Sequence, residues 1–552
     1  MMQASRVAGR AGRCSEAVEG RDQTTFGEEL MSYPRTYNAA VDMVDRNVAS
    51  GWAAKPAFID ASETLTYGEL QARCNRMGNL LSTYTIAREQ RVALLLLDTV
   101  DFPVAFWGAI KAGVVPVCLN TLQTAEQYAY ILGDSRARAL FISAPLLPVV
   151  QPILGRLPFL KHIFVSGGEP PPFALSFRGE LQHQAGEFEA ADTCCDETAF
   201  WLYSSGSTGM PKGTVHCHAS LIQTAELYAR PILGLGERDR TFSAAKLFFA
   251  YGLGNALTFP MAVGATSVLM AERPTPEAIF KRLVGDLPKA ADGAAPTVFY
   301  GVPTLYAGML ASDSFPAPER LGIRICVSAG EALPQRIGQR FTAKTGVEIL
   351  DGLGSTEMLH IFLSNRRGQV RYGTTGVPVP GYQVKLLGED GGEVGPDEIG
   401  DLHVKGPSSA LCYWNQRDKS RRTFQGEWTR SGDKYLRSAD GWYTYAGRSD
   451  DMLKVSGQFV SPFEVESAIG SHEAVVEAAV VGEQDVDELV KPKAYVVLLP
   501  GAVPGEALAE ALKQHVKDTL APFKYPRWIE FVDELPKTAT GKIQRFKLRR
   551  ES

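Results

Sequence analysis

Residues 203–213, YSSGSTGMPKG, hold three glycines, several hydroxyl side chains and one lysine directly after an apolar run. Glycine lets backbone N–H groups approach an anion, hydroxyl groups donate hydrogen bonds to it, and Lys212 adds positive charge. The segment therefore predicts a phosphate-binding loop. It is neither a Walker loop nor a dinucleotide fingerprint, because Lys212 is followed by Gly213 and no G-x-G-x-x-G occurs in it. Taken alone, the composition also fits a flexible surface turn.

The same segment resembles the phosphate loop of the adenylate-forming superfamily, which comprises acyl-CoA synthetases, peptide-synthetase adenylation domains and firefly-type luciferases. Five further segments match this family in its own order, across most of the chain. The resemblance implies that ATP phosphates are bound by Ser204, Ser205, Gly206, Ser207, Thr208, Gly209 and Lys212.

Enzymes of this family activate a carboxylic acid in two steps, which sets the expected ligands. The carboxylate oxygen first attacks the α-phosphate of ATP, giving an acyl adenylate and diphosphate, and a thiol then displaces AMP. Both steps build negative charge, which fixed donors, cations and Mg²⁺ stabilise. The resemblance thus implies ATP, Mg²⁺ and coenzyme A as cofactor and co-substrates.

Residues 351–357, DGLGSTE, resemble the second nucleotide motif of the family. Thr356 would donate to the α-phosphate, and Glu357 would bind Mg²⁺. Leu353 stands where relatives often carry a tyrosine that stacks on adenine, so we expect aliphatic packing there. The SAGEALP segment matches the loop that borders the adenine and the acyl pocket. Further nucleotide contacts are implied for Gly330, Glu331, Asp351 and Gly352.

Residues 428–433, WTRSGD, resemble the element whose aspartate holds the ribose, so Asp433 is expected to accept hydrogen bonds from its two hydroxyl groups. Ser431 replaces the threonine that is commoner in relatives. The following GRSDDMLKVSG segment resembles the hinge of the family, in which Arg448 would contact the ribose or a phosphate and Asp450 would be the pivot.

The hinge segment continues into a loop that would approach the thiol, with Lys454 and Gly457 as its assigned residues. Phe459 stands where some relatives carry an arginine, so the role of that arginine is not transferred to this chain.

Lys542 follows Gly541 in the PKTATGKIQR segment close to the C-terminus. In the family this lysine binds the acyl carboxylate and the α-phosphate bridge during adenylation only. A lysine suits this role because its flexible stem delivers a compact charge to developing oxyanions. Without the other motifs, a solvated lysine in a basic tail would be the simpler interpretation. The expected catalytic residues are Lys542, Thr356 and Glu357.

Two segments, KLFFAYGLGN and GSTEMLHIFLSN, resemble those of benzoate–CoA ligases and their hydroxy- or aminobenzoate relatives. A flat aryl acid needs a short dry slot with aromatic and small walls. The expected lining is Phe249, Ala250, Tyr251, Gly252, Ser328, Gly354, His360 and Ile361.

Benzoate is the expected acid, with monohydroxybenzoates as the alternative, because a ring hydroxyl would need a buried polar partner. His360 and Tyr251 are the candidates for that partner. The sequence is also compatible with a stand-alone enzyme that loads a carrier protein, and with a non-catalytic acyl or nucleotide sensor.

The composition sets limits on partners and location. The net charge of −5 argues against a nucleic-acid or anionic-membrane partner. No apolar run approaches the ~20 residues that span a bilayer. Eight cysteines at irregular positions favour reduced thiols and a cytoplasmic protein. Either a monomer or a homodimer is compatible with these features.

Two groups of potential metal ligands give little indication of a metal site. Cys194 and Cys195 are adjacent, which suits neither metal-ligand spacing nor an ordinary disulfide. Strand alternation would place His216 and His218 on one face, but no further ligand lies nearby in the sequence.

The pattern of elements predicts an α/β fold. Thr66 and Glu69 form a capping box that begins a helix, and two apolar strands at 92–97 and 114–119 flank a helix at 101–112. Strand, helix and strand at this spacing indicate a parallel sheet.

We expect a large multi-subdomain N-terminal body with layered sheets and a small mobile α+β C-terminal domain, as in the adenylate-forming enzyme fold. The expected boundaries are a disordered extension at 1–30, an AMP-binding domain at 31–449 and a mobile domain at 450–552.

Overall fold

The computed structural model describes residues 33–206, 209–287, 293–449, 451–455, 458–485, 489–521, 524–537 and 543–549. Several residues with an expected role lie outside these ranges: the extension at 1–30, Ser207, Thr208, Asp450, Gly457 and Lys542.

An eight-stranded sheet occupies one side of the N-terminal body in the described ranges. Its strands, in order across the sheet, are β19 (Cys412–Tyr413), β9 (Gly209–Cys217), β8 (Thr198–Gly206), β4 (Val115–Cys118), β3 (Arg91–Leu95), β5 (Ala139–Ser143), β6 (His162–Ser166) and β7 (Leu175–Ser176). Strands β3 and β4 are parallel and are connected by a helix at Asp101–Lys111, which confirms the predicted strand–helix–strand unit.

A second large sheet has nine strands among the described residues. They are, in order, β16 (Val377–Pro378), β15 (Ile361–Ser364), β14 (Ile349–Gly354), β13 (Ile325–Ser328), β12 (Val298–Gly301), β10 (Arg240–Ser243), β11 (Thr266–Val268), β1 (Pro56–Ile59) and β2 (Thr64–Thr66). The central pairs β10–β12, β12–β13 and β13–β14 are parallel. Their carboxyl ends therefore meet at one edge of the sheet, where ligands of α/β proteins commonly bind.

A smaller antiparallel sheet follows in the chain. It contains, within the described part, β17 (Gln383–Leu387), β18 (Gly400–Lys405), β20 (Phe424–Gln425), β21 (Trp428–Arg437) and β22 (Tyr443–Arg448).

The C-terminal part of the chain forms its own α+β unit. Its described strands are β23 (Leu453–Val455), β24 (Gln458–Val460), β25 (Val475–Gln484), β26 (Val490–Leu498) and β27 (Trp528–Phe531). A separate apolar cluster, which includes Val465, Val480 and Leu512, forms its core.

The α-helices in the described ranges pack against these sheets. They are α1 (Tyr67–Thr83), α2 (Asp101–Lys111), α3 (Ala125–Ser135), α4 (Leu147–Val150), α5 (Phe177–Gln182), α6 (His218–Thr224), α7 (Ala250–Leu253), α8 (Phe259–Val263), α9 (Pro276–Leu283), α10 (Pro303–Ala311), α11 (Gln335–Thr345), α12 (Arg417–Thr423), α13 (Pro462–Gly470) and α14 (Glu506–Thr519). Short π-helical turns lie at Val41–Asp45, Val48–Trp52, Ala225–Ala229 and Gly254–Thr258, and 3₁₀ turns at Ala144–Leu146, Gln151–Arg156, Pro318–Arg320 and Arg545–Lys547.

The beginning of α1 shows how local chemistry sets an element. The Thr66 side chain accepts a hydrogen bond from the Glu69 N–H, and the Glu69 carboxylate accepts one from the Thr66 N–H. Two N–H groups that would otherwise lack partners are satisfied, as the capping box predicts.

Together, the two large mixed sheets, the antiparallel sheet and the small C-terminal unit confirm the predicted fold class. None of the helices in the described ranges is long and apolar enough to cross a membrane.

The phosphate segment differs from a simple loop. Strand β8 continues through Gly206, β9 begins at Gly209, and the two pair antiparallel with Ser204 opposite Lys212. Most of the segment is thus a hairpin rather than irregular backbone. This arrangement holds Lys212 on a rigid strand.

Candidate active site

Three side chains from distant parts of the chain meet beside the phosphate hairpin. Lys212 Nζ lies 2.9 Å from Glu357 Oε1 and 2.8 Å from the Tyr413 hydroxyl oxygen. The Tyr413 hydroxyl donates to the same Glu357 oxygen at 2.7 Å. The Lys212 ammonium also lies 4.2 Å from the centre of the Tyr413 ring, close enough for a cation–π contact.

The charge state of Glu357 follows from these contacts. Burial opposes its ionisation, but the Lys212 ammonium and the hydrogen bonds from Lys212 and Tyr413 lower the pKa of Glu357 to about 2. The carboxylate is therefore ionised at neutral pH. Lys212 and Tyr413 both bind Oε1 of this carboxylate.

A buried histidine supports the segment that carries Thr356 and Glu357. His216 Nε2 lies 2.8 Å from the Thr356 carbonyl oxygen, and its ring stacks on Phe200 at 5.2 Å. Burial lowers the pKa of His216 to about 4, so the ring is neutral and donates a hydrogen bond through Nε2. Strand β9 thereby fixes the turn after β14 through two contacts, from Lys212 and from His216.

The prediction that His216 and His218 lie on one face of a strand is wrong. Strand β9 ends at Cys217 and helix α6 begins at His218, so the alternation of a strand does not extend to the second histidine. His218 Nδ1 instead accepts a hydrogen bond from the Ala39 N–H at 3.1 Å.

The edge between β13 and β14 contains unpaired polar atoms. Ser328 and Asp351 are opposite each other in the register, and both are buried. Ser328 Oγ and Asp351 Oδ1 have no hydrogen-bond partner of suitable geometry among the described residues, although the Ser328 hydroxyl lies close enough to the Asp351 carboxylate to lower its pKa. Burial raises the pKa of Asp351. Buried polar atoms without partners are uncommon in folded proteins, and they indicate a place where a ligand would supply the missing bonds.

The predicted acyl-slot residues converge near the same edge. The Tyr251 hydroxyl lies 3.1 Å from the Val327 carbonyl oxygen, next to Ser328, and His360 Nε2 lies 3.3 Å from the Tyr251 carbonyl oxygen. The His360 ring packs 4.3 Å from the Phe259 ring centre. A layer of aromatic side chains therefore surrounds the end of β13.

His360 has a defined tautomer. Its Nε2 faces two oxygens, Asn255 Oδ1 at 3.1 Å and the Tyr251 carbonyl, so Nε2 carries the hydrogen. Burial lowers the pKa of His360 to about 3, and the ring is neutral. Its Nδ1 is then an acceptor, and it is buried without a partner among the described residues.

The Tyr251 hydroxyl donates within the protein and not to a substrate. It is directed at two backbone carbonyl oxygens, of Val327 and Gly301. That proton is therefore committed inside the protein.

Glycines permit the close packing of this region. A Cβ on Gly254 would lie 2.3 Å from His360 Cδ2, and a Cβ on Gly352 would lie 2.9 Å from Ile361 Cγ2. Ile361 is fully buried against β14. Any side chain at these two glycines would displace predicted slot residues.

The remaining predicted acyl and adenine residues lie on adjoining elements. Phe249 is the N-cap of α7, which contains Ala250, Tyr251 and Gly252. Leu353 and Gly354 are the last residues of β14, and Leu353 packs against the main core. Gly330 has a φ of +96° directly after β13, which favours glycine, and Glu331 follows it.

The predicted ribose residues form an ion pair. Asp433 on β21 is opposite Arg448 on β22, and Arg448 Nη1 donates to Asp433 Oδ1 at 2.9 Å. Asp433 is 7% exposed, whereas 43% of the Arg448 side chain is exposed. The buried carboxylate thus has a cationic neighbour that reaches the surface.

The segment that leads into the C-terminal unit is anchored to the body just before residue 450. Ser449 Oγ donates to Asp401 Oδ1 at 2.6 Å. The ring of Tyr445, before residue 450, also packs against the ring of Phe463, after it, with 5.1 Å between the ring centres. Lys454 belongs to β23.

The roles of three residues in this site were not identified from the sequence. They are Tyr413, which binds Lys212 and Glu357, Asn255, which binds His360, and His216, which supports Thr356. Tyr413 is 201 residues from Lys212 along the chain, and no local pattern links them. Only the pairing of β19 with β9 brings the tyrosine to the lysine.

The adjacent cysteines also differ from expectation. Ligand atoms of Cys194, Cys195 and Asp196 lie within 4.8 Å of one another. The chain turns here, with the Glu197 N–H bonded to the Cys194 carbonyl oxygen, so neighbouring side chains converge. Burial and the Asp196 carboxylate raise the pKa of Cys195, which disfavours the thiolate that a metal requires. The seven described cysteines are free thiols.

Comparison with known proteins gives two family matches along the chain. Residues 45–414 match the family described as AMP-binding enzyme, and residues 464–542 match the AMP-binding enzyme C-terminal domain. The first match covers most of the body that holds Lys212, Glu357 and Tyr413.

Several relatives match over nearly their whole length. The chain is 59% identical over 520 residues to the benzoate–CoA ligase of Thauera aromatica, covering 94% of this chain and 96% of that protein. It is 53% identical over 519 residues to the 4-hydroxybenzoate–CoA/benzoate–CoA ligase of Rhodopseudomonas palustris, covering 93% and 94%. A solved benzoate CoA ligase from Burkholderia xenovorans LB400 superposes with a TM-score of 0.86 at 57% identity, covering 93% and 100%. The chain therefore belongs to the AMP-binding family of adenylate-forming enzymes.

Proposed function

We propose that this protein is a benzoate–CoA ligase, which converts benzoate, ATP and CoA to benzoyl-CoA, AMP and diphosphate through a benzoyl adenylate. The observation that carries the proposal is the 59% identity over 94% of the chain to a benzoate–CoA ligase. The cluster of Lys212, Glu357 and Tyr413 supports it, because a fixed cation stabilises negative charge that develops on phosphate and an ionised carboxylate can bind Mg²⁺.

In the adenylation step, a benzoate oxygen forms a bond to the α-phosphorus while the bond from that phosphorus to the β-phosphate oxygen breaks. Lys212 would bind phosphate oxygens of ATP and keep its charge close to the developing negative charge. Thr356 would donate its hydroxyl to the α-phosphate, with its backbone held by His216. Asp433 would accept hydrogen bonds from the ribose.

Magnesium would suit the Glu357 carboxylate, at the oxygen that Lys212 and Tyr413 do not bind. The carboxylate is ionised, and Mg²⁺ prefers hard oxygen ligands of this kind. The ion would supply charge neutralisation for the phosphates. Lys212 and Tyr413 orient the carboxylate through its other oxygen.

The acyl slot would hold the benzoate ring between the aromatic layer and the β13–β14 edge. Tyr251, His360 and Ile361 would form its larger walls, and Gly352 and Gly354 its smaller ones. His360 and Ile361 are buried and Tyr251 packs against the core, which would help to keep water out of the slot.

In the second step, the CoA sulfur forms a bond to the benzoyl carbonyl carbon, and the bond to AMP breaks. We infer that residues 31–449 form the AMP-binding domain and that residues 450–552 rotate about Asp450 between the two steps. Lys542 would serve adenylation, whereas the segment with Lys454 and Gly457 would approach the thiol. The anchoring of Ser449 to Asp401 supports a pivot at the next residue, because the chain before it is held in place.

Other properties of the chain remain proposals. The net charge of −5 supports a protein without a nucleic-acid or anionic-membrane partner. A cytoplasmic location stays a prediction, and so does the choice between a monomer and a homodimer.

The test of the function is a pyrophosphate-release assay with ATP and a panel of aryl, heteroaryl and short aliphatic acids, with and without CoA. We expect benzoate to give the highest kcat/KM and the thioester to form only when CoA is present. Loading of a holo-carrier protein in preference to CoA, or the absence of any acid-dependent release, would contradict the proposal.

A second candidate is a ligase for 4-hydroxybenzoate as well. One observation favours it: His360 Nδ1 is a buried acceptor without a partner among the described residues, and a ring hydroxyl could donate to it. The R. palustris relative bears both activities in its name. Replacing His360 with Phe should then reduce kcat/KM for 4-hydroxybenzoate more than for benzoate, since only the first substrate would lose a hydrogen bond.

A further inference from the structure

Helix α12 carries an unusual charge density beside the phosphate site. Its seven residues, RDKSRRT, include four cations and one carboxylate, that of Asp418. Ser420 on this helix ties it to Tyr413, because the Tyr413 N–H donates to Ser420 Oγ at 3.0 Å. The helix is therefore fixed to the residue that orients Lys212 and Glu357.

An open cavity of about 410 Å³ lies between this helix and β19. It is lined by Tyr413, Asn415, Gln416, Arg417, Ser420 and Arg421. Its volume is more than ten times the ~30 Å³ that one water molecule occupies in the liquid, so it has room for a small polyanion. Tyr413 lines the cavity, and its hydroxyl binds the Lys212–Glu357 pair.

Three cations of this helix lack a carboxylate partner in the part of the chain that the structure describes. No carboxylate oxygen of those residues lies within 4.0 Å of the charged groups of Arg417, Lys419 or Arg421. Elsewhere in the body arginines are commonly paired, as Arg324 is with Asp239 at 2.8 Å. Like charges held close together without partners repel each other, and an anionic ligand would relieve that repulsion.

Lys419 connects the helix to the phosphate site electrostatically. Partial burial and the charges of Lys212 and Arg422 lower the pKa of Lys419. The two ammonium groups therefore lie within electrostatic reach of each other.

We propose that the cavity beside α12 is a diphosphate site, in which Arg417 and Arg421, which line the cavity, bind the diphosphate that leaves ATP on its way to solvent. Lys419 on the same helix adds positive charge to the site. The inference rests on the proposed function, which makes diphosphate the product on the Lys212 side. Diphosphate is favoured over the phosphates of CoA because the cavity shares Tyr413 with the Lys212–Glu357 pair, where the outer phosphates of ATP would lie.

The test measures diphosphate directly. Inorganic diphosphate is titrated into the full-length protein by calorimetry, and benzoate-dependent exchange of labelled diphosphate into ATP is measured in parallel. The variants are Lys419→Ala, Arg421→Ala and a triple variant that combines both changes with Arg417→Ala. Each single variant should raise the Kd and the exchange KM of diphosphate by about three- to tenfold, and the triple variant by more, because each removes one positive charge from the site.

Two controls sharpen the test. Arg340→Ala removes an exposed cation from helix α11, which is not part of the cavity, and should leave diphosphate binding unchanged. Lys419→Arg keeps the charge and should retain most of the binding. The KM values for benzoate and CoA should stay within twofold in all variants, and circular dichroism should match the unchanged protein.

An unchanged Kd for diphosphate in the triple variant would overturn the proposal. An equal loss of diphosphate binding in the Arg340→Ala control would overturn it as well. A rise in the KM for CoA without a change for diphosphate would also overturn it and assign the patch to CoA. The unchanged protein could show no benzoate-dependent exchange while the variants still bind diphosphate more weakly in calorimetry. In that case the diphosphate site would stand and the proposed function would fail.

Discussion

At the scale of single residues, the charge of the candidate site depends on two contacts with one carboxylate oxygen, Glu357 Oε1. Glu357 is buried, and burial alone would favour its protonated form. The ammonium of Lys212 reverses this, and the hydroxyl of Tyr413 adds a hydrogen bond at 2.7 Å. The tyrosine therefore has two functions, because its ring contacts the cation while its hydroxyl contacts the anion.

Tyr413→Phe separates these two functions. The ring stays, but the hydrogen bonds to Glu357 and Lys212 are lost, so the carboxylate should reorient and its pKa should rise from about 2. Hydrogen bonds to charged groups contribute about 1.5–3 kcal/mol, and we expect kcat/KM for ATP to fall by roughly 10–100-fold. The measurement is benzoate-dependent diphosphate release at neutral pH.

The matched control for this change is Tyr84→Phe. Tyr84 donates to Glu180 at 2.8 Å, which is the same type of contact far from the site. It should leave kcat/KM unchanged. Equal activity of the Tyr413 variant and the unchanged protein would show that the hydroxyl does not orient the carboxylate.

At the scale of elements, the acyl side depends on how closely a helical turn approaches a strand end. The turn at Gly254–Thr258 contacts the His360 ring directly before β15, and Asn255 in the same turn binds its Nε2. The neutral imidazole is thus held by the turn on one side and by the Phe259 ring on the other. This packing leaves no space for a larger residue at position 254.

Gly254→Ala tests that packing. The new Cβ would lie 2.3 Å from His360 Cδ2, so either the ring or the turn must move. Overpacking of this kind costs about 1–3 kcal/mol, and displacement of His360 should lower kcat/KM for benzoate as well. The measurements are the unfolding free energy in urea and the pyrophosphate-release assay.

Gly133→Ala provides the opposite outcome as a control. Gly133 lies within helix α3, and its Cβ would meet no atom within 4 Å. Because alanine favours a helix interior by about 0.5–1 kcal/mol over glycine, this variant should be slightly more stable and fully active. If Gly254→Ala matched it in both measurements, the close approach to His360 would be unimportant.

At the scale of the whole molecule, buried neutral histidines connect stability to pH. His216 and His218 have pKa values lowered by burial to about 4, and His360 to about 3. An unfolded histidine titrates near 6.5, so below that pH the unfolded chain binds protons that the folded chain does not. The free energy of unfolding should therefore be highest above pH 6.5 and fall as the pH decreases from 6.5 to about 4.

His218→Asn isolates one of these contributions. The asparagine oxygen can accept the Ala39 N–H bond as Nδ1 does, but it does not titrate. Each such histidine contributes up to about 1.4 kcal/mol per pH unit within its window. The variant should thus lose less stability than the unchanged protein between pH 6.5 and pH 5, measured by urea unfolding at each pH. Parallel pH dependences would show that His218 is not buried in its neutral form.

Lys542→Ala tests the proposed rotation of the C-terminal domain. Loss of a positioned cation from a transition state costs about 10²–10³ in rate, so benzoyl-adenylate formation should be nearly abolished. Thioester formation from supplied benzoyl adenylate and CoA should be spared, because the domain would have rotated Lys542 away. Lys547→Ala, another cation of the same tail, should affect neither step. Equal damage to both half-reactions would contradict the rotation.

Much of the architecture follows from local patterns in the chain. The capping box of Thr66 and Glu69 and the parallel pair β3–β4 were predicted, because both depend on residues close together in sequence. The family motifs also indicated Lys212 and Glu357, which the fold brings within 2.9 Å. Motifs carry this information because phosphate chemistry restricts the residue types that serve it.

The rest depended on pairings between distant segments. Tyr413 reaches Lys212 only because β19 pairs with β9, and His218 leaves the strand face because α6 begins there. The free acceptor on His360 follows from Asn255, which is 105 residues away. By itself, the sequence determined the chemistry available, the order of the elements and the family. Only the tertiary structure decided which oxygen, ring nitrogen or cation was left for a ligand, because burial and hydrogen-bond partners are set by contacts across the fold.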